Sequence, residues 1–169
     1  MQLLKYFFLG LAFMCSSYLG FLLSKKYSSR VRDLKEMKNA LNIFKTKIRY
    51  TAEPLPDIFE EICIQSAHSI GSVFSNAKEY MKEFSAGFAW DKAIEESNHN
   101  FKKEDKEVLK GLGKLLGKTD VEGQVNEIEI VDQFLDLQIE KAEKEQLKNE
   151  KMYKTLGFVA GLGIVIILI

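Results

Sequence analysis

Apolar and polar positions divide this chain into three parts. Residues 6–23 carry no charged side chain, and neither do residues 155–169, where the sequence ends. Between these runs apolar residues recur at helical spacing, and β-branched alternation is scarce. The first run, about 18 residues, is long enough to cross a hydrocarbon core of ~30 Å at ~1.5 Å per residue. The second covers only about 22 Å by the same rise. Lys154 can snorkel, and Met152-Tyr153 can extend its apolar length into the interface.

The first helix is expected to run from the membrane without a break to about Tyr50. Tyr27, Leu34, Leu41 and Ile48 recur every seven residues, with Met37 and Phe44 filling the seam, as in a coiled coil. Arg30 falls on that seam near the membrane, where its stem would pack and its guanidinium snorkel to headgroups. The turn at Glu53-Pro54-Leu55-Pro56 ends this helix, because a residue before proline is biased away from the α region. Pro56 suits the first turn of the next helix, whose apolar face holds Ile58, Phe59, Ile62 and Cys63. Cys63 reads as a small buried hydrophobe. Gly71-Ser72 is expected to break the chain before Val73-Phe74, Ala77, Tyr80-Met81 and Phe84. A short helix with Phe88, Trp90 and Ile94 follows, then one face of Val108-Leu109, Leu112 and Leu115-Leu116. Gly111 and Gly113 either allow close helix approach or weaken that helix, at about 1 kcal/mol each relative to alanine.

Gly117-Lys118-Thr119-Asp120 reads as a helix stop and a new start: glycine suits the C′ position, and Asp or Thr an N-cap. The last helix then continues from Val121 to the end, with Val121, Ile128, Leu135 and Ala142 repeating by seven and Val125 and Ile139 between. Asp132 interrupts this stripe; either Val131 carries the core there or a half-buried acid specifies register. The highly charged stretch 141–151 reads as a solvated stalk. The expected architecture is all-α: an antiparallel bundle of about six helices, its long first and last helices continuing into N- and C-terminal transmembrane helices. The expected boundaries are 1–23 for the first anchor, 24–154 for the bundle and 155–169 for the second anchor.

An uncleaved anchor competes with two other readings of the N-terminus. A signal peptide would end its apolar core at a small-x-small site, but here the run continues past Ser16-Ser17. A lipoprotein would place a small residue before the modified cysteine, and Met14 precedes Cys15. Basic residues flank the middle region on both sides: Lys25, Lys26, Arg30, Arg32 and Lys35 on one, Lys148, Lys151 and Lys154 on the other. The outer ends offer only Lys5, so the bundle is expected in the cytoplasm. The formal net charge is zero, which gives no basic bias for a nucleic-acid partner. A bridge between Cys15 in the membrane and Cys63 in a reducing cytosol is not expected.

The search for chemistry returns little. Gly111-Leu112-Gly113-Lys114 lacks the first glycine and the Lys-Ser/Thr ending of a phosphate loop. His68 and His99 share no ligand spacing with the cysteines, and no nucleophile elbow is present. Asp57, Glu60 and Glu61 offer at most a surface calcium site. No catalytic, cofactor-binding or metal residue is assigned, and no cofactor is expected. Gly157 and Gly161 form a GxxxG pair, and Ser16 and Gly20 a small-xxx-small pair; their simplest use is mutual packing of the two anchors.

Several stretches resemble one family. Gly20-Phe21 followed by Ser24, Tyr27, Arg30, Leu34, Ala40-Leu41, Ile48 and Tyr50 is similar to the opening of stage III sporulation protein AB of endospore-forming bacteria. Pro54-Leu55, Leu116-Gly117 with Asp120, and the ending from Asn149-Glu150-Lys151-Met152 through Leu156-Gly157-Phe158 and Ala160-Gly161-Leu162 resemble the same family, in the same order. The resemblance implies a component of the channel complex between mother cell and forespore, in the outer forespore membrane. It implies a bundle like the cytoplasmic six-helix modules of the type II secretion platform protein F, coupling a cytoplasmic secretion-type ATPase to other membrane components. Platform proteins usually carry two such modules and this chain one. Some platform modules bind calcium, but no matching acidic motif is identifiable here.

The leading expectation is therefore a non-catalytic platform or assembly protein whose partners are other channel-complex membrane proteins, that ATPase, membrane lipid and further copies of itself. A general two-anchor membrane scaffold or regulator unrelated to secretion is the alternative, and a membrane enzyme a third. Tyr50, Pro54, Leu55, Gly117 and Asp120 lie at bends, expected at the bundle ends, and are candidate partner contacts ahead of the long-helix surfaces. The competing reading is that Pro54, Gly117 and Asp120 only end and cap helices.

Overall fold

The computed structural model describes residues 2–51, 53–66 and 68–168. The side chains of Lys5 and His68, and Ile169 at the end of the expected second anchor, lie outside that description. Among the described residues six α-helices follow in order: α1 (Gln2–Tyr50), α2 (Leu55–Gln65), α3 (His68–Tyr80), α4 (Ala86–Glu95), α5 (Lys103–Gly111) and α6 (Val121–Leu168), with a short 3-10 turn at Leu112–Lys114. No strand occurs among the described residues. The chain divides into two compact units, residues 32–140 and residues 1–31 with 141–169, so α1 and α6 contribute to both.

In the 32–140 unit the seam of α1 is buried as its spacing predicts: Leu34, Met37, Leu41, Phe44 and Ile48 are at most 5% exposed. Pro54 begins α2 in extended conformation, and its carbonyl accepts the amides of Asp57 and Ile58. The centre of the core is aromatic. Phe59 meets Phe44 and Phe74 edge-on at 5.2 Å, and Trp90 packs on Phe59 and Phe74 at 5.9 and 5.3 Å. The Trp90 indole N–H, fully buried, donates to the Leu109 carbonyl at 2.7 Å and so ties α4 to α5.

Three expectations are corrected within this unit. Gly71-Ser72 does not break the chain; it lies inside α3. A Cβ on Gly71 would stand 2.7 Å from the Cys63 carbonyl oxygen, so the glycine lets α3 approach the α2 backbone. Cys63 itself is half-buried rather than buried. The acids Glu60 and Glu61 are drawn to Lys78 and Lys47 as ion pairs instead of gathering with Asp57. Around the glycines of α5, both readings have a part: the α-helix stops at Gly111, and Gly113 lies against Gly87 of α4 at backbone contact. At Asp132, the buried Val131 carries the core, and the half-buried acid pairs with Lys38 at 3.4 Å.

In the other unit, Arg30 does not reach outward. It is 4% exposed, and Nη1 donates to Glu145 Oε2 at 2.8 Å. A guanidinium taken that far from water needs a carboxylate partner, and one lies within reach on α6. The stretch 141–151 is therefore more than a solvated stalk: Glu145 holds Arg30, and Ala142 is 1% exposed. The N-terminal part of α1 exposes Tyr6, Phe7, Phe8, Leu11, Met14, Tyr18 and Leu19. Among the described residues α1 is the one helix long and apolar enough to cross a membrane, by length and composition.

Candidate functional site: a turn cluster and a small-residue helix pair

Within the 32–140 unit the structure brings two of the expected bend positions together. Gly117 has φ +72°, the left-handed conformation that glycine adopts without strain at a helix end. A Cβ there would meet Leu55 Cδ1 at 3.4 Å and Ala86 Cβ at 3.3 Å, so the Pro54-Leu55 turn, the start of α4 and the Gly117 turn share one contact. Gln124 closes the loop from the far side: its Oε1 accepts the Gly117 amide at 3.2 Å and its Nε2 donates to the Thr119 carbonyl at 3.1 Å. Asp120 Oδ1 accepts the Gly123 amide at 2.9 Å, the N-cap to N3 bond that satisfies a free donor in the first turn of α6. Pro54, Gly117 and Asp120 are exposed, and Leu55 is half-buried. Tyr50, the last residue of α1, is 77% exposed and takes no part in the shared contact.

In the unit formed by 1–31 and 141–169, the small residues meet. A Cβ on Gly20 would stand 2.8 Å from Gly157 Cα, and Ser16 Oγ donates to the Gly157 carbonyl at 2.9 Å. Gly161 lies under the Phe13 ring, which also packs edge-on against Phe158 at 5.4 Å. Tyr27 stacks on Tyr153 at 5.8 Å. Backbones this close exclude any larger residue at Gly20 and Gly157, and the half-buried serine hydroxyl donates across the pair.

Two features escaped the sequence reading. A polar cleft of about 350 Å³ is lined by Arg32, Ser72, Asn76, Glu96 and His99 among others. His99 Nε2 lies 2.8 Å from the Ser69 carbonyl, its ring stacks on Phe101, and Asp33 holds the neighbouring Asn100 amide and side chain. These bonds fix the loop before α5 to α1 through Asp33 and to α3 through Ser69. The second feature is an exposed apolar stripe on α6, at Ile130, Phe134 and Leu137. Its four-then-three spacing is visible in the sequence once the core stripe is subtracted. Beside it, burial pushes the Lys38 ammonium down, but its hydrogen bond to Asp136 and the charge of Asp132 outweigh this and raise its pKa. Among the described residues, no three His, Cys, Asp or Glu side chains gather where they could hold a metal ion.

Comparison with known proteins agrees with this helical architecture. The chain is 32% identical over 157 residues to stage III sporulation protein AB of Bacillus subtilis (strain 168), covering 90% of this chain and 92% of that one. A solved structure of a stage III sporulation protein AB superposes with a TM-score of 0.66 at 27% identity, over 71% of this chain and 98% of that one. The family model described as stage III sporulation protein AB matches residues 5–169. With the match running from the apolar start of α1 to the end of α6, the chain belongs to the stage III sporulation protein AB family.

Proposed function

We propose that this chain is a non-catalytic membrane platform component of the mother cell–forespore channel complex required for endospore formation. In this reading it couples a cytoplasmic secretion-type ATPase to the complex's other membrane proteins. The observation that carries it is the family match over residues 5–169, which takes in both chain ends as well as the helical middle. Residues 1–23 and 155–169 anchor the chain in the outer forespore membrane, and residues 24–154 form the cytoplasmic domain. The exposed aromatic and aliphatic side chains of α1 support the first anchor. For the second, support comes from the pairing of Ser16 and Gly20 with Gly157, which would let a marginal span lean on a sound one. The order of these contacts, with Phe13 at Gly161 and Arg30 at Glu145, favours an antiparallel hairpin. The basic residues on either side of the middle region favour its cytoplasmic placement.

Partner contact falls on the turn cluster, where the rigid ends of α2, α4 and α6 hold exposed loops in place. Asp120→Ala is expected to cost about 1 kcal/mol as the loss of an N-cap. If the cluster and the neighbouring bend at Tyr50 also meet a partner, sporulation falls in this variant and in Leu55 and Tyr50 variants while the purified full-length proteins melt nearly normally. Sporulation defects that only track loss of folded protein across the set would defeat the interface role.

A further inference from the structure

Helix α6 carries two apolar stripes between Val121 and Glu140. One, with Val125, Ile128, Val131 and Leu135, is buried. The other, Ile130, Phe134 and Leu137, is 47%, 51% and 53% exposed. Spacings of four and three put these three side chains on one helix face. Every charged residue in the same stretch is acidic: Glu122, Glu127, Glu129, Asp132, Asp136 and Glu140. Cations of α1 meet part of this charge, Lys38 at Asp132 and Asp136, and Lys45 and Arg49 at Glu129. Among the described residues no cation pairs with Glu122 or Glu127.

We propose that this face of α6 docks a basic amphipathic helix of a partner protein. A ridge of large apolar residues on the partner would pack against Ile130, Phe134 and Leu137, with its lysines or arginines over Glu122 and Glu127. Charge selects this occupant. A second copy would set acid against acid, and an anionic lipid surface or a nucleic acid would be repelled in the same way. A helix fits because its own side-chain rows interdigitate with residues spaced four and three apart. The inference goes beyond the channel assignment, since it specifies a partner's chemistry whichever complex that partner belongs to.

The test uses the full chain in nanodiscs of zwitterionic lipid, with empty nanodiscs subtracted. The probe is a fluorescein-labelled helical peptide with leucines at alternating third and fourth positions and lysines elsewhere. Saturable binding is expected, weakened about tenfold or more by Phe134→Ser, as for an anchor residue in an interface. Glu122→Gln with Glu127→Gln should weaken it several-fold at low salt, with the difference vanishing at high salt. Phe134 is exposed, so Phe134→Ser should melt like the wild type; should it not, Leu137→Ser gives the same readout. Equal binding by wild type and variant, or equal binding of a peptide with glutamates for lysines, would overturn the proposal. So would self-association of the wild type that Phe134→Ser abolishes, which would make a second copy the occupant. Failure here leaves the channel role standing, because that is read from complex recovery in sporulating cells.

Discussion

Trp90→Ala is expected to cost about 3–5 kcal/mol of stability, enough to unfold much of a marginally stable domain. The side chain is fully buried at the meeting point of Phe59 and Phe74, so truncation removes a large apolar surface and leaves a cavity that three helices cannot easily close. It also deprives the Leu109 carbonyl of the indole N–H. Trp90→Phe separates the two effects: it keeps most of the volume and loses the hydrogen bond, for a smaller loss of which about 0.5–1.5 kcal/mol is the bond. Trp90 is the sole tryptophan, so unfolding must be followed by circular dichroism at the helical band rather than by intrinsic fluorescence. A Trp90→Ala protein that melts within a degree or two of wild type would contradict the packing described.

Gly87→Ala and Gly111→Ala should act in opposite directions, although both replace a helical glycine by the best helix former. A Cβ on Gly87 would sit inside contact distance of the Gly113 carbonyl oxygen, with the carbonyl carbon at 3.1 Å. That neighbour is backbone and cannot rotate away, and Gly113 is in turn pressed by Asp91. Overpacking of this kind costs about 1–3 kcal/mol and sometimes more, and Gly87→Val should exceed it. A Cβ on Gly111 would meet only Val131 Cγ2 at 3.5 Å and Glu127 Oε1 at 3.8 Å, ordinary contacts. Gly111→Ala is therefore expected to be neutral or to stabilise by up to about 1 kcal/mol. Denaturant midpoints of the two variants, measured side by side, check the contrast.

That contrast shows where the sequence was legible. The seven-residue seam of α1, the α6 seam from Val125 to Ala142, the stop at Pro54 and the Gly117–Asp120 turn follow from local rules and appear where spacing placed them, whereas Val121, the expected first member of the α6 seam, is 48% exposed at the start of the helix. Glycine was the weak point. Gly71 reads as a breaker because the letter is the same for a residue that ends a helix and one that admits a neighbouring backbone, here the Cys63 carbonyl. The position of Arg30 on the seam was readable, but its partner Glu145 lies on the last helix, and no local pattern joins the two. Likewise, the shared contact of Leu55, Ala86 and Gly117 is set by how helices distant in sequence pack. The second stripe of α6 is masked in the sequence because the seven-residue repeat already accounts for the helix's buried face, and Ile130, Phe134 and Leu137 fall outside that repeat.

The central claim, a membrane platform that joins a cytoplasmic ATPase to a channel complex, is tested most directly by recovering the full-length protein from sporulating cells under mild solubilisation and identifying what accompanies it. The account predicts co-recovery of channel-complex membrane proteins together with a secretion-type ATPase, in amounts that fall when the turn cluster is altered and the protein remains folded. Recovery of the intact, membrane-embedded protein with the channel proteins but never with the ATPase, or with neither, would contradict it.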